Sequence, residues 1–304
     1  MTSFANTAFN AQTYANVRPT YPPELYQSVL AYHASSPSSK RKSSTLLDLG
    51  CGHGLVCREL SPYFTHTIGT DPSERMIAQA RSSTPSSQYP TITYRPASVE
   101  DLSSFSDGEI DMAVAAAAAH WFDFSRAWGE LSRVVRSGGT VAFWGYIDNV
   151  FIGHAAATNV FEKYFFGEEE DSLMPYFELP GLAVIRGMLR SVVPPLEDWE
   201  DVKRVEYIPD VRGKKSGKGE LLIFGKLKLR EIGEYARTTS AYTTWKAKHP
   251  EQPSLSQGGT GDIIDRMLEE MKCSEPEWAE VGERWKDIEV DTEWATMILM
   301  ARRK

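Results

Sequence analysis

Residues 45–55, TLLDLGCGHGL, join a short apolar run to three glycines and then to the start of a helical pattern. A strand that leads through a glycine-rich turn into a helix leaves backbone N–H groups at the carboxyl edge of a sheet, where a ligand can approach without meeting a Cβ atom. This order predicts a nucleotide or nucleoside site. The alternative is a tight turn that only packs a helix against a strand.

The spacing of the glycines does not fit a dinucleotide. The G-x-G-x-x-G pattern needs a glycine or alanine at its sixth position, but Leu55 stands there when counted from Gly50, and Cys57 when counted from Gly52. Asp48 precedes the turn, and its carboxylate would repel a pyrophosphate but would suit a ligand with an ammonium group. The sequence therefore predicts a positively charged nucleoside ligand.

The surrounding pattern predicts an α/β fold. Short apolar runs alternate with helical patterns, which is typical of βαβ units and a parallel sheet; the runs are residues 45–49, 65–71, 91–96, 110–116 and 140–146. The helix before the fifth strand is expected to end at Gly138 and Gly139. After Tyr146 the alternation stops, and later segments, 202–208 and 294–303, are predicted to complete the sheet around helical insertions.

A second acidic residue supports the nucleoside interpretation. A carboxylate that binds vicinal ribose hydroxyls is expected about 20 residues beyond the glycines, at the end of the second strand. Asp71 stands there, in IGTDPSERMI. Its alternative role is to cap the helix that follows.

These motifs resemble those of the class I S-adenosylmethionine (SAM)-dependent methyltransferases. The turn around Gly50, the segment PASVEDLSS after the third strand and RVVRSGGTVAFWGY before the fifth occur in the family's order. Ser98 replaces the aspartate that is common in the second of these, and Ser137 a proline in the third. The resemblance covers residues 10–146 and implies SAM as the cofactor, with Asp71 on the ribose and Pro72 and Met76 near the adenine.

The resemblance also implies the architecture. It is a Rossmann-like, doubly wound, seven-stranded mixed sheet with a helical cap from the N-terminal segment and the C-terminal insertions. The expected regions are a cap segment and connector at residues 1–44, a SAM-binding core at 45–148, and lid insertions with the last strands at 149–304. The expected cofactor-binding residues are Tyr14, Arg18, Asp48, Gly50, Cys51, Gly52, Gly54, Asp71, Pro72, Met76, Ser98, Val99 and Ala116.

A narrower resemblance concerns the methyl acceptor. The segments at 9–33, 119–128 and 235–250 are similar to the fungal branch that includes trans-aconitate methyltransferase. Arg18 is able to pair a carboxylate of either SAM or an acidic substrate, or else to form a surface ion pair. The resemblance indicates a branch rather than a substrate, and O-methylation of a carboxylate or hydroxyl on a small organic molecule is the leading hypothesis. The alternatives are N-, S- or C-methylation of a natural product, and SAM binding without methyl transfer.

His120 is the candidate catalytic residue, because it follows the fourth strand at the edge where α/β sheets place their ligands. An imidazole can take a proton from a hydroxyl or amine, whereas a carboxylate acceptor needs no base, and His120 would then be a hydrogen-bond donor or a wall. Aromatic residues are expected either to line the acceptor pocket or to form the core of the lid. The substrate-binding candidates are Trp121, Tyr146, Phe166 and Trp245.

The composition excludes several other classes. A net charge of −8 argues against a general nucleic-acid binder. Three scattered cysteines are too few for a disulfide framework or a four-ligand metal site, and no metal is expected. The first residues lack a basic region and an apolar stretch, so neither a signal peptide nor a membrane span is expected, and a cytoplasmic location is the simplest prediction. The oligomeric state is left open.

Overall fold

The computed structural model describes residues 20–36, 44–169 and 171–304, which fall mainly into two compact units. We call residues 21–146, 180–206 and 296–304 the core unit, and residues 147–179 and 207–295 the second unit. The predicted N-terminal cap lies largely outside the described residues.

The helices begin and end as follows: α1 at Pro23–Ala34, α2 at Leu55–Leu60, α3 at Glu74–Ser82, α4 at Phe124–Val134, α5 at Ala155–Phe166, α6 at Leu179–Arg186, α7 at Leu229–Arg237, α8 at Ser240–Lys248, α9 at Ile263–Ser274 and α10 at Pro276–Ala279. The strands are β1 at Thr45–Leu49, β2 at His66–Asp71, β3 at Ile92–Pro96, β4 at Ile110–Ala116, β5 at Val135–Phe151, β6 at Trp199–Ile208, β7 at Lys218–Gly219, β8 at Phe224–Lys228 and β9 at Glu289–Arg303.

The described residues form a nine-stranded sheet, two strands more than predicted, and seven of its strands contribute to the core unit in the order β3-β2-β1-β4-β5-β9-β6. Strands β1 to β5 pair in parallel, and β1 and β4 lie at the centre. Both central strands are almost wholly buried, as expected for a parallel sheet with helices on both faces. The predicted Rossmann-like fold is confirmed.

The predicted end of the helix before β5 is wrong. Helix α4 ends at Val134, and β5 begins at once, so Gly138 and Gly139 lie inside the strand. They occupy an irregularity in its pairing, because Ile110 pairs with Val135 but Met112 pairs with Thr140. Gly138 has φ 72°, and a Cβ on Gly139 would lie 2.7 Å from Val135. The glycines therefore permit a bulge rather than a helix end.

The second unit is built from α5, the helices α7 to α10, and two short strands. Strand β8 pairs antiparallel with the first part of β9, from Phe224 opposite Glu293 to Lys228 opposite Glu289. Strand β7 pairs antiparallel with the end of β6. Helix α9 packs against α5, with the Lys163 ammonium 2.7 Å from a Glu270 oxygen. Every helix in the described part of the chain is too short or too polar to traverse a lipid bilayer.

Candidate functional site

The glycine turn between β1 and α2 is held in left-handed backbone conformations. Gly50, Gly52 and Gly54 have φ of 66°, 53° and 82°. A Cβ on Gly50 would lie 2.6 Å from the Ala118 Cβ, and one on Gly54 would overlap the Tyr94 hydroxyl. No atom of the described residues would lie within 4 Å of a Cβ on Gly52. Gly50 and Gly54 are thus required by packing, whereas Gly52 leaves open space above the turn.

Asp71 connects the end of β2 to this turn. Its Oδ2 accepts the Gly52 N–H at 3.1 Å, and its Oδ1 accepts the Ser73 N–H at 2.8 Å. The side chain is 9% exposed, and this burial raises the pKa of the carboxyl while the two N–H groups oppose the rise. A carboxylate has about four lone-pair positions, so two remain for a ligand. Asp71 therefore keeps acceptor capacity beside the glycine turn.

Asp48 is a buried carboxylate with one oxygen unused. The residue is 1% exposed, and its Oδ2 accepts the Cys57 thiol proton at 3.2 Å. Its Oδ1 contacts no hydrogen-bond donor among the described residues. Burial raises the pKa of the carboxyl to about 7, although the Cys57 hydrogen bond opposes the rise. A buried acceptor without a donor is costly, so a cationic donor on a ligand fits this position.

The residues expected near the adenine lie beyond β2 and β3. Pro72 is exposed, and Met76 is buried in the first turn of α3, where Ser73 Oγ accepts its N–H at 3.4 Å. The Ser98 hydroxyl donates to the Glu100 carboxylate, and Val99 is buried. Because the Ser98 hydroxyl proton is used inside its own loop, the backbone of this segment is the better candidate for a ligand contact.

His120 and Trp121 occupy one 3₁₀ turn just after β4, and their ring centroids are 4.7 Å apart. Both side chains are half-buried. The chain leaves Ala116, the last residue of β4, through Ala117, which has φ 50° and donates its N–H to the Trp144 carbonyl at 2.7 Å. The left-handed backbone at Ala117 follows the end of β4 and precedes the turn that carries the two rings.

The remaining candidates are distributed over both units. Tyr146 is buried in an aromatic cluster of the core unit, with its ring centroid 6.2 Å from that of Tyr21. In the second unit, Phe166 stacks on Phe177 and Trp245 stacks on His249. Tyr14 and Arg18 lie outside the described residues.

Two site residues were not predicted from the sequence. Cys57 supplies the proton that Asp48 accepts, and the Tyr94 hydroxyl lies against Gly54 while its ring lies against Gly69. Cys57 lies one turn along α2 from the glycines. The helical pattern after the glycine turn was therefore the sequence feature that could have identified it. Nothing in the local sequence of β3 indicates that Tyr94 reaches the glycine turn.

Replacing Gly52 with alanine is expected to impair cofactor binding far more than folding. The new methyl would fill the space above the turn, while the left-handed backbone would cost about 1 kcal/mol of stability. Gly153→Ala is the matched control, because Gly153 also has a positive φ and open space around a Cβ but lies in the second unit. Calorimetry should show weaker binding for Gly52→Ala alone, and equal affinities in both variants would contradict the assignment.

Comparisons with known proteins indicate the class of enzyme. A family model described as "Methyltransferase domain" matches residues 47–143. CRG1 of Saccharomyces cerevisiae, described as an S-adenosylmethionine-dependent methyltransferase, is 29% identical over 100% of this chain and 99% of its own length. The methyltransferase ptaI of Pestalotiopsis fici is 26% identical over 66% of this chain and 63% of its own length.

A solved structure supports the fold. A protein from Anaeromyxobacter dehalogenans, described as a type II methyltransferase, superposes with a TM-score of 0.64 at 22% identity, covering 94% of this chain and 97% of that one. The matched domain contains the glycine turn, Asp71 and the β4 edge. With this fold, this turn and these relatives, the chain is a SAM-dependent methyltransferase of the class I fold, and SAM is its cofactor.

Proposed function

We propose that the enzyme methylates an oxygen atom, of a carboxylate or a hydroxyl, on a small organic acceptor. The observation that carries the proposal is the pair of His120 and Trp121, half-buried directly after β4. The carboxyl ends of β1, β2 and β4 lie at the same edge, because these strands are parallel, and this edge also carries Asp48 and Asp71. A polar ring beside an apolar one suits an acceptor with one reacting oxygen.

The cofactor would be held by groups along that edge. Asp71 would accept the ribose hydroxyls, Asp48 would accept the ammonium group, and the N–H groups of the turn would lie along the nucleoside. When bound, SAM supplies an electrophilic methyl group on a sulfonium. The full proposed set is Tyr14, Arg18, Asp48, Gly50, Cys51, Gly52, Gly54, Asp71, Pro72, Met76, Ser98, Val99 and Ala116.

The protein's contribution to the chemistry depends on the acceptor. A carboxylate is already an anion, so the site has only to align it, and His120 would donate a hydrogen bond to it. A hydroxyl must lose its proton, and His120 would then accept that proton as the oxygen attacks. In both cases Trp121 would form an apolar wall that excludes water.

The sequence resemblance to the trans-aconitate branch additionally supports a carboxylate as the acceptor. An acidic acceptor suits that branch, and Arg18 would then pair with its carboxylate. The proposed substrate-binding residues are Trp121 and Tyr146 in the core unit, and Phe166 and Trp245 in the second unit. The second candidate is N-, S- or C-methylation of a natural product, favoured by the density of aromatic side chains in the second unit, where Phe165, Phe166 and Phe177 pack together.

The test is a transfer assay with methyl-labelled SAM and matched acceptors: polycarboxylic acids, aromatic acids, phenols, amines and thiols. Formation of S-adenosylhomocysteine measures turnover, and treatment of the product with alkali separates methyl esters from methyl ethers. A labelled ester or ether supports the proposal. Label that is found only on nitrogen, sulfur or carbon overturns it.

The His120→Ala variant distinguishes the two oxygen acceptors. With a hydroxyl acceptor, loss of the base should lower kcat by about 10²–10⁴-fold near neutral pH. With a carboxylate acceptor, KM should rise and kcat should change little. His66→Ala, an exposed histidine at the start of β2, is the control and should retain full activity. An unchanged kcat and KM in His120→Ala would exclude the residue from the acceptor site.

A further inference from the structure

We propose that His154, Glu275 and Glu277 form a binding site for a Zn²⁺ ion in the second unit. His154 directly precedes α5, and the two glutamates lie at the start of α10. The His154 Nδ1 is 3.5 Å from Glu275 Oε2 and 3.5 Å from Glu277 Oε1. One ligand atom from each residue lies within 4.8 Å of the other two. An imidazole nitrogen and carboxylate oxygens are established zinc ligands.

The distances suit a tetrahedral ion. Ligands that lie about 2.0–2.2 Å from Zn²⁺ in tetrahedral geometry are about 3.3–3.6 Å from one another. The two nitrogen–oxygen distances already have this length. The Glu277 side chain is 63% exposed, so its carboxylate can rotate to close the third edge. Three protein ligands would leave the fourth position of the ion to solvent or to a further ligand.

An ion pair accounts less well for the arrangement. The His154 Nδ1 is buried, yet it makes no hydrogen bond of normal geometry with any described residue, although two carboxylates converge on it. A protonated imidazole would be expected to direct its N–H at one carboxylate at about 2.7–2.9 Å. Two carboxylates that face one nitrogen at equal, longer distances leave room for a cation between them.

Neighbouring contacts orient two of the three ligands. The other oxygen of Glu275, Oε1, accepts the Ala157 N–H at 3.0 Å, and the His154 ring packs against Trp278 with centroids 4.7 Å apart. Such outer contacts fix the direction of metal ligands and strengthen binding. The ion would join the start of α5 to the start of α10 and would stabilise the folded second unit.

The test is calorimetric titration of the full chain with Zn²⁺ after treatment with a chelator. We expect one ion per chain, at least tenfold weaker binding in Glu277→Gln, and a thermal unfolding midpoint that Zn²⁺ raises in the parent but not in that variant. His154→Ala should lose the site. Because Glu277 is exposed, Glu277→Gln should fold normally. This variant decides the question if His154→Ala fails to fold.

Two control variants separate this site from other zinc ligands. Cys273 is an exposed thiol close in sequence to Glu275, and His249 Nδ1 lies 3.4 Å from a single carboxylate, that of Glu251. Cys273→Ser and His249→Ala should bind Zn²⁺ like the parent. The proposal is overturned if the parent binds no stoichiometric Zn²⁺, if Glu277→Gln binds as tightly, or if Cys273→Ser abolishes binding.

Discussion

Replacing Asp71 with alanine should weaken SAM binding at least about 100-fold. The variant removes the carboxylate proposed to accept the ribose hydroxyls, and a hydrogen bond to a charged group contributes about 1.5–3 kcal/mol, so losing two corresponds to at least that factor. It also releases the Gly52 N–H, which Asp71 Oδ2 accepts at 3.1 Å. Isothermal titration calorimetry with SAM measures the effect directly.

Two further variants test whether the loss of SAM affinity is specific to the Asp71 carboxylate. Asp71→Asn retains an oxygen that can accept one N–H, so it should fall between alanine and the parent. Asp210 lies in the second unit and makes a similar turn, in which its Oδ1 accepts the Arg212 N–H at 2.9 Å. Asp210→Ala removes this hydrogen bond and should bind SAM normally. Unchanged affinity in a folded Asp71→Ala variant would refute the ribose assignment.

Asp48 should make SAM affinity depend on pH. Burial raises the pKa of its carboxyl to about 7 in the ligand-free protein, and the ammonium group would bind the ionised form. Below that pH a proton must leave before binding, so the dissociation constant should rise about tenfold for each unit of decreasing pH. Above pH 7 the Asp48 contribution should level off.

The Asp48→Asn variant should remove this pH dependence and, at pH 8, bind SAM about 10–100-fold more weakly, because a hydrogen bond to a charged acceptor is lost. Titrations between pH 6 and 8 check both effects. If the SAM affinities of the parent and of Asp48→Asn change equally with pH, the pH dependence belongs to another group. Equal SAM affinities of the two proteins at pH 8 would exclude Asp48 from the cofactor site.

The Asp48 carboxyl affects folding stability in the direction opposite to its effect on SAM affinity: its contribution to stability falls as the pH rises. Its pKa in the folded protein, about 7, lies above the ordinary 3.8, so between these values the folded state keeps a proton that the unfolded state loses. The Asp48 contribution to the free energy of unfolding is therefore full below about pH 4 and is lost as the pH rises to 7. SAM should restore that stability most strongly at the alkaline end.

The core of the fold was predictable because its signals are local. The apolar runs, the glycines and Asp71 at the end of the second strand lie in a short stretch where spacing translates directly into geometry. The bulge in β5 was not predictable, because Gly138 and Gly139 suit either a helix end or an irregular strand. Only the pairing with β4 decides between them.

Parts of the site depend on contacts that no spacing rule describes. The role of Asp48 as an acidic residue ahead of the turn was an interpretation from sequence, but the contact between its Oδ2 and the Cys57 thiol arises from the packing of α2 on β1. His154 and the two glutamates are far apart in the chain, so their convergence follows from the packing within the second unit. Tyr94 reaches the turn only because β3 lies beside β2.

The thiol of Cys57 has a practical consequence for chemical labelling. Burial raises its pKa, so it stays protonated, and Cys51 beside it in the turn is also buried, whereas Cys273 is exposed. Maleimides and iodoacetamides react with accessible thiolates, so in the native protein they are directed to Cys273 and away from the cofactor turn. A fluorophore attached there would leave the turn intact and would stand two residues from Glu275.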